Sequence, residues 1–406
     1  MLYPKIAWRN LWRNRRRTLI TISSVVGAVL LAILMQSMQY GSYERMIHNV
    51  SGFFIGAMQV QQQDYWQEQT VDNSLPASEA LQQQLAGLRN VAVVAPRLQT
   101  YALAAGREKS RAALVLGIDP EQEKGLMQPQ NKLVAGSYFS GANEQAVLLG
   151  RGLAEYLGLQ PGDSLVLLGG GYQGSSAAGK YLIKGLVSYG LPEINNNMLF
   201  LPLGSMQAFL AAPERLTAYA ISVDKINRLP STESEVREVL PAGLQVMSWS
   251  AMMPELVQAI EADAAGNIIM LAVLYMVVGF GILGTVLMMT AERRYEFGVL
   301  LSIGMPRATL ALTVLLELLL IALIGVVIGA LLAIPIVLYF HHNPLELSGA
   351  AAQAIEEMGW EAVVPFSTDP SLFLWQACII LALTLLLAFY PMLHIFRLNP
   401  VQSMRE

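Results

Sequence analysis

The sequence predicts a polytopic α-helical membrane protein: four transmembrane helices, with an α+β extracytoplasmic domain inserted between the first and second. Three observations carry that prediction. Apolar residues make up 54% of the 406 positions and charged residues only 14%, with a mean hydropathy of +0.44, whereas soluble domains carry about 25% charged residues. The deficit is segregated: positions 41–266 read as an ordinary mixed sequence, and the apolar excess lies outside them. Finally, Lys and Arg are distributed so that every short connecting segment agrees on one orientation.

A spanning helix needs about 20 mostly apolar residues. Thr18–Met38, Ile268–Met289, a run within Leu310–Phe340, and Leu372–Leu393 meet that requirement. The organisation that follows is a cytoplasmic amphipathic helix at 1–17, a first span at 18–40, and an extracytoplasmic domain with its stalk at 41–266. A second span at 267–290, a cytoplasmic loop at 291–309, a third span at 310–340, an outer loop at 341–371, a fourth span at 372–394 and a tail at 395–406 complete it. The third span exceeds one bilayer thickness, so it must tilt, kink near Pro335 or project. Arginines before the first run mimic a signal peptide. That run is too long for an h-region and no small-residue cleavage motif follows, so it reads as a retained helix.

Orientation follows from the cations. Lys5, Arg9, Arg13, Arg15, Arg16 and Arg17 precede the first span without an acid; Arg293, Arg294 and Arg307 follow the second; Arg397 and Arg405 follow the fourth. The connection from His341 to Pro370 has no Lys or Arg but carries Glu346, Glu356, Glu357, Glu361 and Asp369. Both termini are therefore expected in the cytoplasm. In the first seventeen residues, Trp8, Leu11 and Trp12 fall on one helical face and Arg9, Arg13 and Arg16 on another. That pattern suits a helix lying among lipid headgroups. A positive-inside anchor with no other task is the plainer alternative.

Within 41–266, the helical pattern of the first span continues through Tyr40 to about Val60, and Trp249–Gly266 leads into the second span, with Pro254 near its start. Together they would form a stalk. Between them, strands are predicted at Val91–Ala95, Ala112–Ile118, Ala146–Leu149, Ser164–Leu168, Tyr181–Ser188, Met198–Leu201 and Ala218–Val223. Helices are predicted at Ser78–Leu88, Gly152–Leu157 and Gly204–Leu210. The Gln-rich stretch around Gln59–Gln63 is too short to be low-complexity, and no internal repeat is evident.

Little in the chain reads as catalysis. Gly174 to Lys180 fits the first seven positions of a phosphate-binding P-loop, but Tyr181 stands where Ser or Thr should meet Mg²⁺. A strand pattern follows where a helix is required, so this is a hairpin loop, and the chain is not expected to hydrolyse ATP. His341 and His342, near Glu346, read as loop residues rather than a metal site. The single cysteine, Cys378, reads as a small packed residue. Glu317 differs, because an ionisable group in an apolar span is expensive and often functional. Either it packs and hydrogen-bonds within the bundle or it couples the cytoplasmic loop to the spans. Gly279, Gly281 and Gly284 in the second span, and Gly325 and Gly329 as GxxxG in the third, permit close helix approach. Packing within one bundle and contact with a second subunit are equally compatible with them.

The cytoplasmic loop reads Glu292-Arg293-Arg294-Tyr295-Glu296-Phe297-Gly298-Val299-Leu300-Leu301-Ser302-Ile303-Gly304-Met305-Pro306-Arg307. It resembles the FtsX-like permease signature, E-R-x-x-E-x-G-x-L, then an I-G turn and a helix bearing Glu, here Glu317. Trp8 to Leu19 is similar to that family's opening segment. Tyr390-Pro391, then Leu398-Asn399-Pro400-Val401 and Met404-Arg405, are similar to its closing segment. Leu149 to Ala154 and Leu157 to Asp163 resemble the MacB-type periplasmic core domain. The resemblance spans nearly the whole chain in the expected order, and places it with the MacB/FtsX/LolC-LolE mechanotransmission class of ABC transporter permeases.

The resemblance implies a dimer, with a second copy or a homologous permease, in the bacterial inner membrane. It also implies two copies of a separate cytoplasmic ATPase that hold the ATP and Mg²⁺, so that this chain binds no cofactor and is no enzyme. Glu292, Arg293, Arg294, Glu296, Gly298, Gly304 and Arg307 would couple to that ATPase, aided by Trp8, Arg9, Trp12 and Arg13 at the membrane surface. The implied work lies on the outer side. Trp249-Ser250 and Met252 to Leu256 are similar to the stalk of lipoprotein-extracting relatives, which favours lipoprotein or lipid extraction and leaves a periplasmic carrier open as a partner. The alternatives are peptide or small-molecule efflux with an adaptor, signalling to a cell-wall hydrolase, or a sensor that partners a kinase. No nucleic-acid partner is expected.

Overall fold

The computed structural model describes residues 2–13, 15–53, 55–189, 192–357 and 362–397. The closing segment Leu398–Arg405, Glu361 and Asn14, which entered the reading above, lie outside the described residues. The chain divides into two compact units, one of Met1–Glu44, Ala259–Glu346 and Val363–Glu406, the other of Arg45–Gln258 and Leu347–Ala362.

The first unit is helical: α1 (Leu2–Arg13), α2 (Arg15–Phe53), α3 (Pro254–Glu292), α4 (Arg294–Ser302), α5 (Arg307–His342) and α6 (Pro370–Arg397). Among the described residues, four helices are long and apolar enough to cross a membrane, within α2, α3, α5 and α6. Arg15, Arg16 and Arg17 open α2 rather than closing the N-terminal helix, which corrects the boundary expected at residue 17. The helix from the first span ends at Phe53, and Met58–Gln62 is a strand, so the helical reading to Val60 overshot. At 39 residues, α2 is about 58 Å long, nearly twice the hydrocarbon thickness of a bilayer. The helix α5 continues through Pro335 without interruption.

Packing in this unit is intimate where side chains are absent. A Cβ on Gly325 would lie 2.6 Å from Val25 Cγ1, and one on Gly329 would lie 2.8 Å from Val29 Cβ. The GxxxG of α5 thus seats α2 of the same chain, which decides one of the two readings left open for it. Around that contact Val25, Val29, Ile33, Leu318 and Ile321 form a buried core. The glycines of α3 behave differently: at Gly281 and Gly284 nothing lies within 4 Å of a built Cβ. Polar bonds join α2 to α3 instead. Asn267 donates to Gln36 at 2.9 Å, Tyr43 donates to Asp263 at 2.8 Å, and Gln39 also bonds Asp263.

The segment beyond α5 is more ordered than a plain loop. Leu345–Glu346 pairs with Val363–Val364, and Ala350–Glu357, assigned to the second unit, is a helix. An extended stretch then runs against α2. Ser37 Oγ donates to Ser367 O, Ser367 N donates to Ser37 O at 2.8 Å, and a Cβ on Gly41 would sit 2.4 Å from Pro365 O. His341 and His342 donate through Nδ1 to the backbone carbonyls of Phe366 and Leu338.

The second unit is built on strands β1 (Met58–Gln62), β2 (Leu75–Pro76), β3 (Val91–Ala105), β4 (Ser110–Ile118), β5 (Leu133–Gly136) and β6 (Ala146–Gly150). They continue with β7 (Ser164–Gly170), β8 (Ser176–Val187), β9 (Met198–Pro202), β10 (Arg215–Leu216), β11 (Ala218–Val223) and β12 (Leu244–Ser248). Ten of them form one sheet in the order β12-β1-β11-β3-β4-β9-β6-β8-β5, with β7 pairing β3 and β8. Most pairs are antiparallel; β4–β9 and β6–β8 are parallel. Three apolar clusters back the sheet, centred on residues such as Leu165, Phe200 and Tyr219. The expected helices lie at Glu79–Ala86, Arg151–Leu157 and Leu203–Phe209. Ser78 caps the first, its Oγ accepting from Leu81 N at 3.2 Å.

Five strands of this unit were missed, β1, β5 and β12 of the large sheet and the short β2–β10 pair, and β3 was read too short. In β1 the Met-Gln-Val-Gln run alternates, but it was read as the end of the first span's helix, and Gln59 and Gln61 are buried along with Met58 and Val60. The strand β3 runs on through Pro96 and Arg97, which resemble a break; Arg97 is 2% exposed and paired with Glu123. The P-loop-like stretch is the β7–β8 hairpin, with Val166 opposite Lys180. Its tip is held down, Gln173 N donating to Asp72 at 2.6 Å and the Arg215 guanidinium lying 5.0 Å from the Tyr172 ring centre.

Candidate functional site

The predicted loop after α3 is mostly helix. The helix α3 ends at Glu292, Arg293 takes a non-helical conformation (φ −96°, ψ 6°), and α4 begins at once. That helix ends in the Ile303-Gly304 turn, where Gly304 has φ +100°, a conformation that glycine adopts without Cβ strain. Gly304 N donates to Leu301 O, and Met305 N to Leu300 O, both at 3.1 Å, closing the helix so that Pro306 can start α5. The aromatic ring of Phe297 is buried against the bundle and carries the Arg293 guanidinium 5.2 Å from its centre.

Five side chains from α1, the α3–α4 junction, α4 and α5 form a run of polar contacts that α1 closes into a ring. Asn10 of α1 donates to Glu317 Oε1 of α5 at 2.6 Å. Arg293 Nη1 binds the other oxygen of Glu317. The same guanidinium reaches Glu296 of α4 through Nε at 3.3 Å. Glu296 in turn binds Arg13, one helical turn beyond Asn10 on α1. Thr18 Oγ1 donates to Leu11 O at 2.8 Å, fixing α1 against the start of α2.

Glu317 is 1% exposed and Arg293 8% exposed. Taking such charges out of water costs several kcal/mol each, and the cost is offset only when both are paired and hydrogen-bonded. Here each carboxylate oxygen of Glu317 has its own donor. Glu296 is half-exposed. Burial pushes its carboxyl up, but the hydrogen bond and charge of Arg13, with Arg293 beside it, hold it below the usual carboxylate range.

Of the expected site residues, Arg13, Arg293, Glu296 and Glu317 converge in this ring. Gly298 is buried in α4 and Gly304 shapes the turn. Arg307 lies outside the ring, donating to Phe396 O at the end of α6 at 2.8 Å. Glu292 and Arg294 flank Arg293 in sequence, at the end of α3 and the start of α4. Arg9, Trp8 and Trp12 are exposed, the two indoles meeting edge to face at 5.9 Å. Leu11, expected on the tryptophan face, points instead into the bundle with Ala7, so α1 carries three faces rather than two. Asn10 was not singled out from the sequence. Its spacing of three from Arg13 is the signal that it shares a helical face with that residue.

Four long apolar helices beside a mixed α+β unit define a polytopic α-helical membrane protein. Residues 18–239 match the MacB-like periplasmic core domain family, and residues 268–400 match the FtsX-like permease C-terminal family. The chain belongs to the FtsX-like, MacB-type family of ABC transporter permeases, which sets it in a bacterial membrane. It is similar to the lipoprotein-releasing system transmembrane protein LolC of Xylella fastidiosa, 23% identical over 247 residues, 59% of this chain and 59% of that protein. It is also similar to LolC of Neisseria meningitidis serogroup B, 21% identical over 332 residues, 78% of this chain and 79% of that one. The crystal structure of the periplasmic region of MacB from Actinobacillus actinomycetemcomitans aligns over 53% of this chain and 98% of that one. It does so at 14% identity and a TM-score of 0.37, too low to carry an argument. Permeases of this family work with cytoplasmic ATPases.

Proposed function

We propose that this chain is the permease subunit through which a separate cytoplasmic ATPase, in two copies holding ATP and Mg²⁺, drives movements of an outer domain between the first two spans. The observation that carries the reading is the closed ring of Asn10, Arg13, Arg293, Glu296 and Glu317. It ties the N-terminal helix and the short helix α4 to α5, so a push on α4 is delivered to a spanning helix rather than absorbed by a loose loop. The cation asymmetry supports cytoplasmic termini and an inner-membrane location, and a second permease completes the transporter. The exposed Trp8 and Trp12 on α1 support a helix resting in the headgroup layer. The substrate reading is extraction or release of a lipoprotein or lipid from the membrane. It is supported by likeness to LolC proteins at 21–23% identity.

The test is a mild-detergent pull-down of the chain from native membranes, with mass spectrometry of proteins and acylated species. An ATPase recovered with acylated lipoproteins is the expected result. An ATPase with an adaptor or a wall hydrolase, and no lipoproteins, would replace the substrate reading. No ATPase, under conditions that preserve other transporters, would overturn the coupling reading itself.

A further inference from the structure

A cleft of about 770 Å³ opens beside the ring, between α1, α4 and the first turns of α5. Its size is that of a small-molecule site, commonly about 300–1,000 Å³. Its lining divides by chemistry. Arg13, Arg293 and Glu296 bring charge to it, and Leu300, Leu310 and Val314 bring apolar surface, with Thr309 and Thr313 next to the latter two on α5. Leu310 and Val314 lie three and seven residues into α5 from Arg307, which is about 5–10 Å along the helix axis. The apolar wall therefore follows α5 into its hydrophobic stretch while the polar wall stays at the charged end. Exposed Trp8 and Trp12 stand on α1, which supplies part of the polar wall. Indoles concentrate at the depth of lipid headgroups.

We propose that this cleft holds one glycerophospholipid of the leaflet on that side, its phosphate on the Arg13 and Arg293 guanidiniums and one acyl chain along Leu300, Leu310 and Val314. The inference rests on the reading that this end of the helical unit lies at the cytoplasmic membrane surface. Guanidinium groups offer planar paired donors that match phosphate oxygens. Arg293 is buried and half-shared between two acids, so a phosphate at its open edge meets a fixed donor. Glu296 beside it disfavours a ligand that is anionic throughout and favours one whose headgroup carries an amine next to the phosphate. A water-soluble phosphate compound would leave Leu310 and Val314 uncovered.

The test uses the full chain, reconstituted in nanodiscs of phosphatidylethanolamine and phosphatidylglycerol, then released into mild detergent and weighed by native mass spectrometry. The wild type is expected to retain one phospholipid, with phosphatidylethanolamine enriched over its share in the disc. Arg13→Ala, which removes a phosphate donor, and Val299→Trp, which fills the cleft from its half-buried rim, should each lower the retained fraction about tenfold. Leu331→Trp, on the exposed face of α5, should leave it unchanged. Thermal unfolding of each variant confirms that folded protein is compared. A wild type that retains no phospholipid, or equal retention in all variants, overturns the proposal, as does retention of a soluble phosphate compound instead. Recovery of an ATPase in the separate pull-down is unaffected by any of these results, so the lipid site and the coupling reading fail independently.

Discussion

Each unit of the molecule buries an arginine–glutamate pair, and the two pairs are built differently. In the sheet unit, Arg97 and Glu123 are 2% and 0% exposed, with two guanidinium nitrogens directed at the two oxygens of one carboxylate. That pair pins a long strand to the short helical turn at Gln122–Gly125. In the helical unit, Arg293 is shared by two acids and Glu317 by two donors, and the network ends at the half-exposed Glu296 and exposed Arg13. A closed fork holds one geometry. A branched ring that begins in the core and ends at the surface can lose its outer bonds while keeping its inner one, which suits a joint more than a rivet.

The comparison can be broken most directly by replacing both members of a pair with apolar residues. Deleting one partner of either pair should cost about 3–5 kcal/mol, because a buried charge is left uncompensated. Glu123→Ala and Glu317→Ala should therefore both lower the thermal midpoint of the full chain. Replacing both, as Arg97→Met with Glu123→Leu or Arg293→Met with Glu317→Leu, should restore most of that stability. Only the Arg293/Glu317 double variant should then fail to support ATPase stimulation in the reconstituted complex. Normal stimulation in that variant would reduce the ring to a structural tie like the one in the sheet.

A smaller effect separates packing from charge. Gly325→Leu and Gly329→Leu overpack the α2–α5 contact and should each cost about 1–3 kcal/mol. Gly281→Ala and Gly284→Ala in α3 meet no neighbouring atom within 4 Å in this chain. If those alanines prove as damaging as the leucines, α3 has a partner that the single chain lacks.

The outer edge of the ring should contribute least. The Arg13–Glu296 pair is 56% and 41% exposed, so solvent screening leaves it less than about 1 kcal/mol. The Glu296 carboxyl is held below the usual carboxylate range, so its contribution is full above that range and lost as pH falls through the lowered value. The thermal midpoint of wild type and Arg13→Ala should differ at neutral pH and converge in acid; parallel curves would show that Arg13 does not hold Glu296. Lys180→Ala, in the β7–β8 hairpin, should leave ATP turnover by the complex unchanged, and a dead variant would reopen the phosphate-loop reading.

Hydropathy and cation placement made the helices legible, because lipid imposes a length and a composition that a linear reading can measure. Strands such as Ala218–Val223 were legible for the same reason: apolar residues fill consecutive buried positions. Met58–Gln62 and Leu244–Ser248 were not, since they are short strands interrupted by Gln and paired with partners far away in sequence. The ring was half legible. Glu317 stands out as a charge in an apolar run, and Arg293 and Glu296 stand out within the loop motif. What the sequence withheld was the pairing: Arg293 is 24 positions from Glu317 and Asn10 is 307, separations that no helical periodicity spans. The direction of Leu11 was also hidden, because a tryptophan-flanked leucine reads as part of one apolar face until a bundle is present to claim it.

The grip on α2 at Gly41 has a mechanical consequence. Ser37, Gly41 and the stretch around Pro365–Ser367 hold the helix at one level, with no room even for a methyl group on the inner side. Twenty-six residues separate Gly41 from Arg15 and twelve separate it from Phe53. Arg15 lies about 39 Å along the helix axis from that grip, so a small rotation of this part of α2 about it becomes a wide stroke at the Arg15 end.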